Sequence, residues 1–135
     1  MKRTVLDASA LMTFFEDRPG ADKVEDLLRL GVEGKRQLLM SVMNWGEVYY
    51  STWRVKGPGV ARKVLNDIAQ LPLEIVDADL ELTRSAAELR AEHKLPYSDC
   101  FAAALAVNRK ASLATSDKDF AHVEKKLEIL WTLGV

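Results

Sequence analysis

The chain has 135 residues, 48% of them apolar and 29% charged, with a net charge of −1, proportions ordinary for a globular protein that fits one domain, residues 1–135. No apolar run approaches the ~20 residues that cross a bilayer, and Asp7 interrupts the apolar start MKRTVLDASALMTFF, which predicts a cytoplasmic protein without a signal peptide. Cys100 is the single cysteine, so an intramolecular disulfide and a cysteine-based metal cluster are both excluded, and His93 and His122 stand alone without ligand spacing.

The first strand is predicted over Arg3–Leu6 and ends at Asp7. A helical pattern follows from Ser9 to about Glu16, resumes after Pro19-Gly20 and continues to about Glu33. Gln37–Met40 reads as a second strand, and Ser41 can cap the helix that runs on to about Val55. Gly57-Pro58-Gly59 breaks that helix, and the amphipathic stretch Val60–Leu71 should pair with it as a helical hairpin. A third strand is predicted at Leu73–Val76, then a helix over Asp79–His93. The Ala-rich Ser98–Lys110 predicts another helix after Pro96, and Ser112–Ala114 a fourth strand. A short helix follows from Asp117, and Glu128–Trp131 is the fifth strand. Such alternation implies parallel βαβ units and a sheet covered on both faces, with ligands expected beyond the carboxyl ends of its strands.

Four carboxylates fall at or near that edge. Asp7 immediately follows the first strand, and Asp117 follows the fourth through Thr115-Ser116. Each taken alone reads as a helix cap. Glu47 lies within the helix after the second strand, on a polar side with Asn44, Ser51 and Arg54, while Val42, Trp45, Tyr49 and Trp53 form the opposite, aromatic side. That aromatic side is expected to pack on the chain's own core or on a partner. Asp99 opens the helix SDCFAAALAV in line with Ala102, Ala103 and Ala106, small residues that let this face approach the sheet closely. A carboxylate placed there needs either a cation or a hydrogen-bonding cap.

No Arg or Lys follows a strand to neutralise these acids. Crowded carboxylates raise one another's pKa and destabilise the fold unless cations bind. All-oxygen ligands suit Mg²⁺ or Mn²⁺, and such an ion can activate water and stabilise a displaced oxygen. Phosphodiester hydrolysis is the chemistry this predicts. A basic surplus, frequent in nucleic-acid binders, is absent, although Arg54 and Lys56, Arg62 and Lys63, and Arg109 and Lys110 form local basic pairs.

The stretches VLDASAL, SVMNWGEV, YSDCFAAALA and LATSDKDF, in that order and spacing, resemble the PIN-domain ribonucleases, and more narrowly the VapC-type toxins of type II toxin–antitoxin pairs. The resemblance spans essentially the whole chain. It implies a three-layer α/β/α sandwich around a mainly parallel five-stranded sheet. It also implies that Asp7, Glu47, Asp99 and Asp117 bind a divalent metal, with Asp7 and Asp99 as direct ligands and Ser9, Asn44 and Thr115 in support. Asp119 is expected to act chiefly in a capping box with Ser116, and Arg54 to contact an RNA phosphate. The implied activity is endonucleolytic cleavage of RNA by a homodimer that a cognate antitoxin inhibits.

Rival classes fit less well. A receiver-like signalling module wants adjacent acids after the first strand and a lysine ending the fifth; the sequence offers Asp7-Ala8-Ser9 and EILWTL. A haloacid-dehalogenase-type phosphatase wants Asp-x-Asp where this chain has Asp-Ala-Ser. A PIN-like module that binds without catalysis would not need all four acids.

Overall fold

The computed structural model describes residues 1–133. Five strands, β1 (Lys2–Leu6), β2 (Arg36–Ser41), β3 (Glu74–Val76), β4 (Ser112–Thr115) and β5 (Ile129–Trp131), form one sheet in the order β3-β2-β1-β4-β5. All four pairings are parallel, with Val5 opposite Leu39 on one side of β1 and Leu113 on the other. The helices between them are α1 (Ala8–Phe15), α2 (Ala21–Val32), α3 (Val42–Lys56), α4 (Pro58–Ala69), α5 (Leu80–Glu92) and α6 (Tyr97–Arg109). Among the described residues, no helix is long and apolar enough to cross a membrane.

The central strands are apolar without alternation because both faces are covered. Val5, Leu39 and Leu113 point into a core shared with α5 and α6. Their neighbours Leu6, Leu38 and Ala114 pack on the opposite face with Val24 and Leu28 of α2, and Met40 packs there with Leu11 and Val48. This is the α/β/α sandwich expected from the alternation of elements.

The structure refines two local readings. The short helix expected after Asp117 is a 3₁₀ helix, Lys118–Val123. On α3 the fully covered line is Asn44, Val48 and Thr52, whereas Trp45 and Tyr49 are half-buried and Trp53 is 41% exposed. The reason is that α3 is held along this line, where Val48 packs with Leu11 and Met40 and Asn44 Nδ2 donates to the Ser98 carbonyl at the start of α6. The aromatic side instead forms a ladder, Trp45–Tyr49–Trp53, with the Arg62 guanidinium over the last ring at 5.4 Å. The buried polar side thus turns Glu47 inward.

Gly20 opens α2 at φ +98°, where a side chain is strained and its Cβ would meet the Thr132 carbonyl. Gly20→Ala is expected to destabilise the fold by at least about 1–2 kcal/mol, the cost of left-handed backbone for an L-residue. A lowered urea midpoint checks this, and an unmoved midpoint would contradict the close approach.

Candidate active site

In open parallel sheets, connections diverge where the strand order reverses, which leaves a crevice beyond the carboxyl ends. Here that point lies between β1 and β4: the chain leaves β1 towards β2 and leaves β4 towards β5. Asp7 and Asp117 stand on its two sides.

Asp7 is buried and caps α1, accepting the Ala10 amide at 2.9 Å. The Thr115 hydroxyl donates to its second oxygen at 2.6 Å, and the Ser9 hydroxyl donates at 2.8 Å. Thr115 also accepts the Asp117 amide at 2.9 Å, and Ser9 accepts the Ser116 amide at 3.1 Å. Two hydroxyls therefore tie the ends of β1 and β4 together and fix the Asp7 carboxylate. Burial pushes this carboxyl up to about 6, against the opposing pull of the Thr115, Ala10 and Ser9 donors, and the Asp117 charge adds to the rise.

Asp99 sits in the first turn of α6, which begins at Pro96 without a side-chain cap. Ala102, Ala103 and Ala106 on the same helix are buried in the core that holds Val5, Leu39 and Leu113. This face of small residues brings Asp99 down to the strand ends, where it is 7% exposed. Burial, and then the charges of Asp117, Asp7, Glu47 and Asp119, raise its carboxyl to about 8. The fold therefore brings the other three sequence-predicted acids, and a fourth neighbour, within electrostatic reach of Asp99.

That fourth neighbour is Asp119, and here the structure departs from the capping box expected of Ser116 and Asp119. Asp117 is the cap, accepting the Asp119 amide at 2.9 Å, while the Ser116 amide is spent on Ser9. This turn folds the two side chains to one side, so that an oxygen from each of Asp99, Asp117 and Asp119 lies within 4.8 Å of the others. The Asp-Lys-Asp spacing across the start of a 3₁₀ turn was the available signal in the sequence.

Glu47 projects from α3 with one carboxylate oxygen, Oε1, buried and without a hydrogen-bond partner among the described residues; Asn44 Oδ1 is in the same condition. None of the five acids forms an ion pair with a described Lys, Arg or His. Arg54 lies exposed in the last turn of α3, about two turns beyond Glu47. An orphaned buried oxygen, three carboxylates at mutual ligand distance and an all-oxygen donor set fit a hard divalent cation.

Because Asp99 holds its proton more tightly folded than unfolded, the metal-free protein loses stability as pH rises from about 4 towards about 8. In chelator, the melting temperature of the wild type is expected to fall across this range, and that of Asp99→Asn to fall less. Parallel profiles for the two proteins would refute the charge crowding.

Comparison with known proteins agrees with this geometry. The family model described as "PIN domain" matches residues 4–126. Among curated proteins, none matches the chain. Among solved structures, VapBC2 of Rickettsia felis, described as bound to a DNA fragment from its promoter, superposes with a TM-score of 0.77 at 20% identity over 95% of this chain and 97% of that one. FitAcB of Neisseria gonorrhoeae gives 0.74 at 15% identity over 98% and 99%. VapC20 of Mycobacterium tuberculosis, described as a sarcin–ricin-loop-cleaving toxin, gives 0.72 at 14% identity over 89% and 94%. At such identities the structural likeness speaks for the fold alone.

Proposed function

The chain belongs to the PIN-domain family, and from that premise we propose that it is a divalent-metal-dependent endoribonuclease, the toxin of a type II toxin–antitoxin pair. The observation that carries the reading is the set of carboxylates around Asp99 that no basic side chain among the described residues pairs with. In this reading residues 1–135 form one catalytic unit. Asp7, Glu47, Asp99 and Asp117 are its catalytic and metal-holding acids, and Asp119 joins them.

The chain's own groups divide the work. Thr115 and Ser9 hold the Asp7 oxygens in one orientation. Asn44 ties α3 to the start of α6, which keeps Glu47 turned towards Asp99. Asp99, Asp117 and Asp119 offer the ligand oxygens nearest one another. When bound there, Mg²⁺ or Mn²⁺ supplies charge stabilisation for the phosphoryl oxygens and acidifies water for attack. RNA as the substrate is supported by the relative described as a sarcin–ricin-loop-cleaving toxin.

An antitoxin partner is supported by relatives described as toxin–antitoxin complexes, including one from Klebsiella pneumoniae. On this chain Met43, Tyr50, Trp53 and Val60 leave apolar surface open on α3 and α4, the kind of area a partner segment or second subunit covers. The homodimer of the reading would use such surface.

Incubated with total RNA and Mn²⁺ or Mg²⁺, the purified chain is expected to produce discrete cleavage ends that EDTA removes. Asp7→Asn keeps the cap, since Asn caps as well as Asp, and is expected to lower cleavage at least about 100-fold with unchanged circular dichroism. EDTA-resistant ends, or an active Asp7→Asn, would sink the metal mechanism.

The position of Asp119 leads to a separate expectation. Asp119→Asn should raise the Mn²⁺ concentration for half-maximal cleavage about tenfold while leaving saturated activity largely intact. An unmoved Mn²⁺ titration would return Asp119 to a purely structural role.

A further inference from the structure

At the opposite edge of the sheet, where the strands begin, lies a cavity of about 420 Å³, within the size range of small-ligand sites. Lys2 and Arg3 enter it from β1, Arg36 from the start of β2, Lys110 from the end of α6, and Lys126 from the approach to β5. Glu128 is the one carboxylate among the described residues of its wall. Lys126 is engaged with Glu92 at 3.6 Å, whereas Lys2, Arg3, Arg36 and Lys110 form no ion pair with a described residue. A chain of net charge −1 thus carries four uncommitted cations around one concavity.

The two arginines are held in place by neutral groups. Arg3 donates from Nε to Gln37 Oε1 and from Nη1 to the Arg109 carbonyl, both at 3.1 Å. Arg36 Nη1 donates to Thr4 Oγ1 at 2.7 Å, and that hydroxyl meets Oγ of Ser112, a lining residue, at 2.8 Å. A guanidinium has five N–H donors, so both heads keep donors to spare and their charges uncancelled while their orientation is already fixed. Preorganised forks of this kind match the oxygens of a phosphate.

Lys110 adds an independent sign. It ends α6 at φ +52°, the left-handed position that glycine occupies without strain. A lysine there is the costlier residue for the turn, and its charge lines the cavity.

We infer that this amino-edge cavity is a phosphate-binding site, remote from the acidic edge and taking either a free phosphate group or a phosphodiester of an RNA strand. The inference does not depend on the nuclease reading, because it is tested by binding.

The experiment follows the backbone amide NMR signals of the full chain in EDTA, titrated with inorganic phosphate, with an eight-nucleotide oligouridine, and with chloride at matched ionic strength. Saturable shifts at Thr4, Lys110 and Ser112 are expected with phosphate or oligouridine and not with chloride. A lower midpoint for oligouridine assigns the site to RNA; a response to phosphate alone assigns it to a free anion. Arg36→Gln should raise the midpoint about tenfold. Lys110→Gly should do the same without loss of melting temperature, since glycine relieves the strained turn. The inference fails if neither probe gives saturable shifts, if chloride reproduces them, or if both variants bind as the wild type does.

Discussion

Repulsion among carboxylates at the carboxyl edge of the sheet is the constraint on which the rest of the structure turns. Four acids press on Asp99 there without a basic partner for any of the five among the described residues, and the buried Asp99 bears the largest consequence. Left to itself, such a group drives its members apart into solvent. The fold opposes that tendency by fixing each acid to a rigid element: Asp7 at the end of β1, Glu47 within α3, Asp99 on a helix packed tightly onto the strands, and Asp117 and Asp119 in a 3₁₀ turn. The cost of holding them is met by the cores on both faces, so the site depends on packing that lies well away from it.

Capping and ligation need not be rival roles for these side chains. Asp7 accepts the Ala10 amide at the start of α1, and Asp117 accepts the Asp119 amide at the start of its turn. A cap uses part of a carboxylate's acceptor capacity, since each oxygen has two lone pairs. It also sets the rotamer and places the charge at the positive end of a helix. Asp7 shows the limit of this compensation, because three donors do not bring it back to the ordinary range of a carboxylic acid. What the helix start offers is orientation more than neutralisation.

The order of elements and the convergence of Asp7, Glu47, Asp99 and Asp117 were legible in the sequence for a simple reason. Apolar runs mark the strands, and residues that follow parallel strands must share an edge. The Ala-rich face beneath Asp99 likewise announced a close helix–sheet contact. Asp119 was harder to read, since its direction depends on whether the turn after Asp117 is α or 3₁₀, a difference of geometry that composition does not encode. The orientation of α3 was also hidden. A helical wheel ranks faces by hydrophobicity and sends Trp45, Tyr49 and Trp53 inward, but the helix is docked along the line of Asn44 and Val48, by the bond to Ser98 and by packing on Leu11 and Met40, and its aromatic ladder is left partly open. The family resemblance named the acids; it did not determine which way the rings would face.

The parallel topology has a second effect, on charge. In an antiparallel sheet, residues that precede and follow strands alternate between the two edges. Here every strand starts on one edge and ends on the other, so single residues scattered along the chain are sorted by whether they come before or after a strand. Lys2, Arg3 and Arg36 open strands, and Lys110 closes the helix that leads into β4; all line one concavity. Asp7 and Asp117 follow strands, and with Asp99 they gather at the opposite edge. A net charge near zero therefore conceals two separated patches of opposite sign, and it is the field of each patch, not the overall balance, that a charged ligand meets at close range.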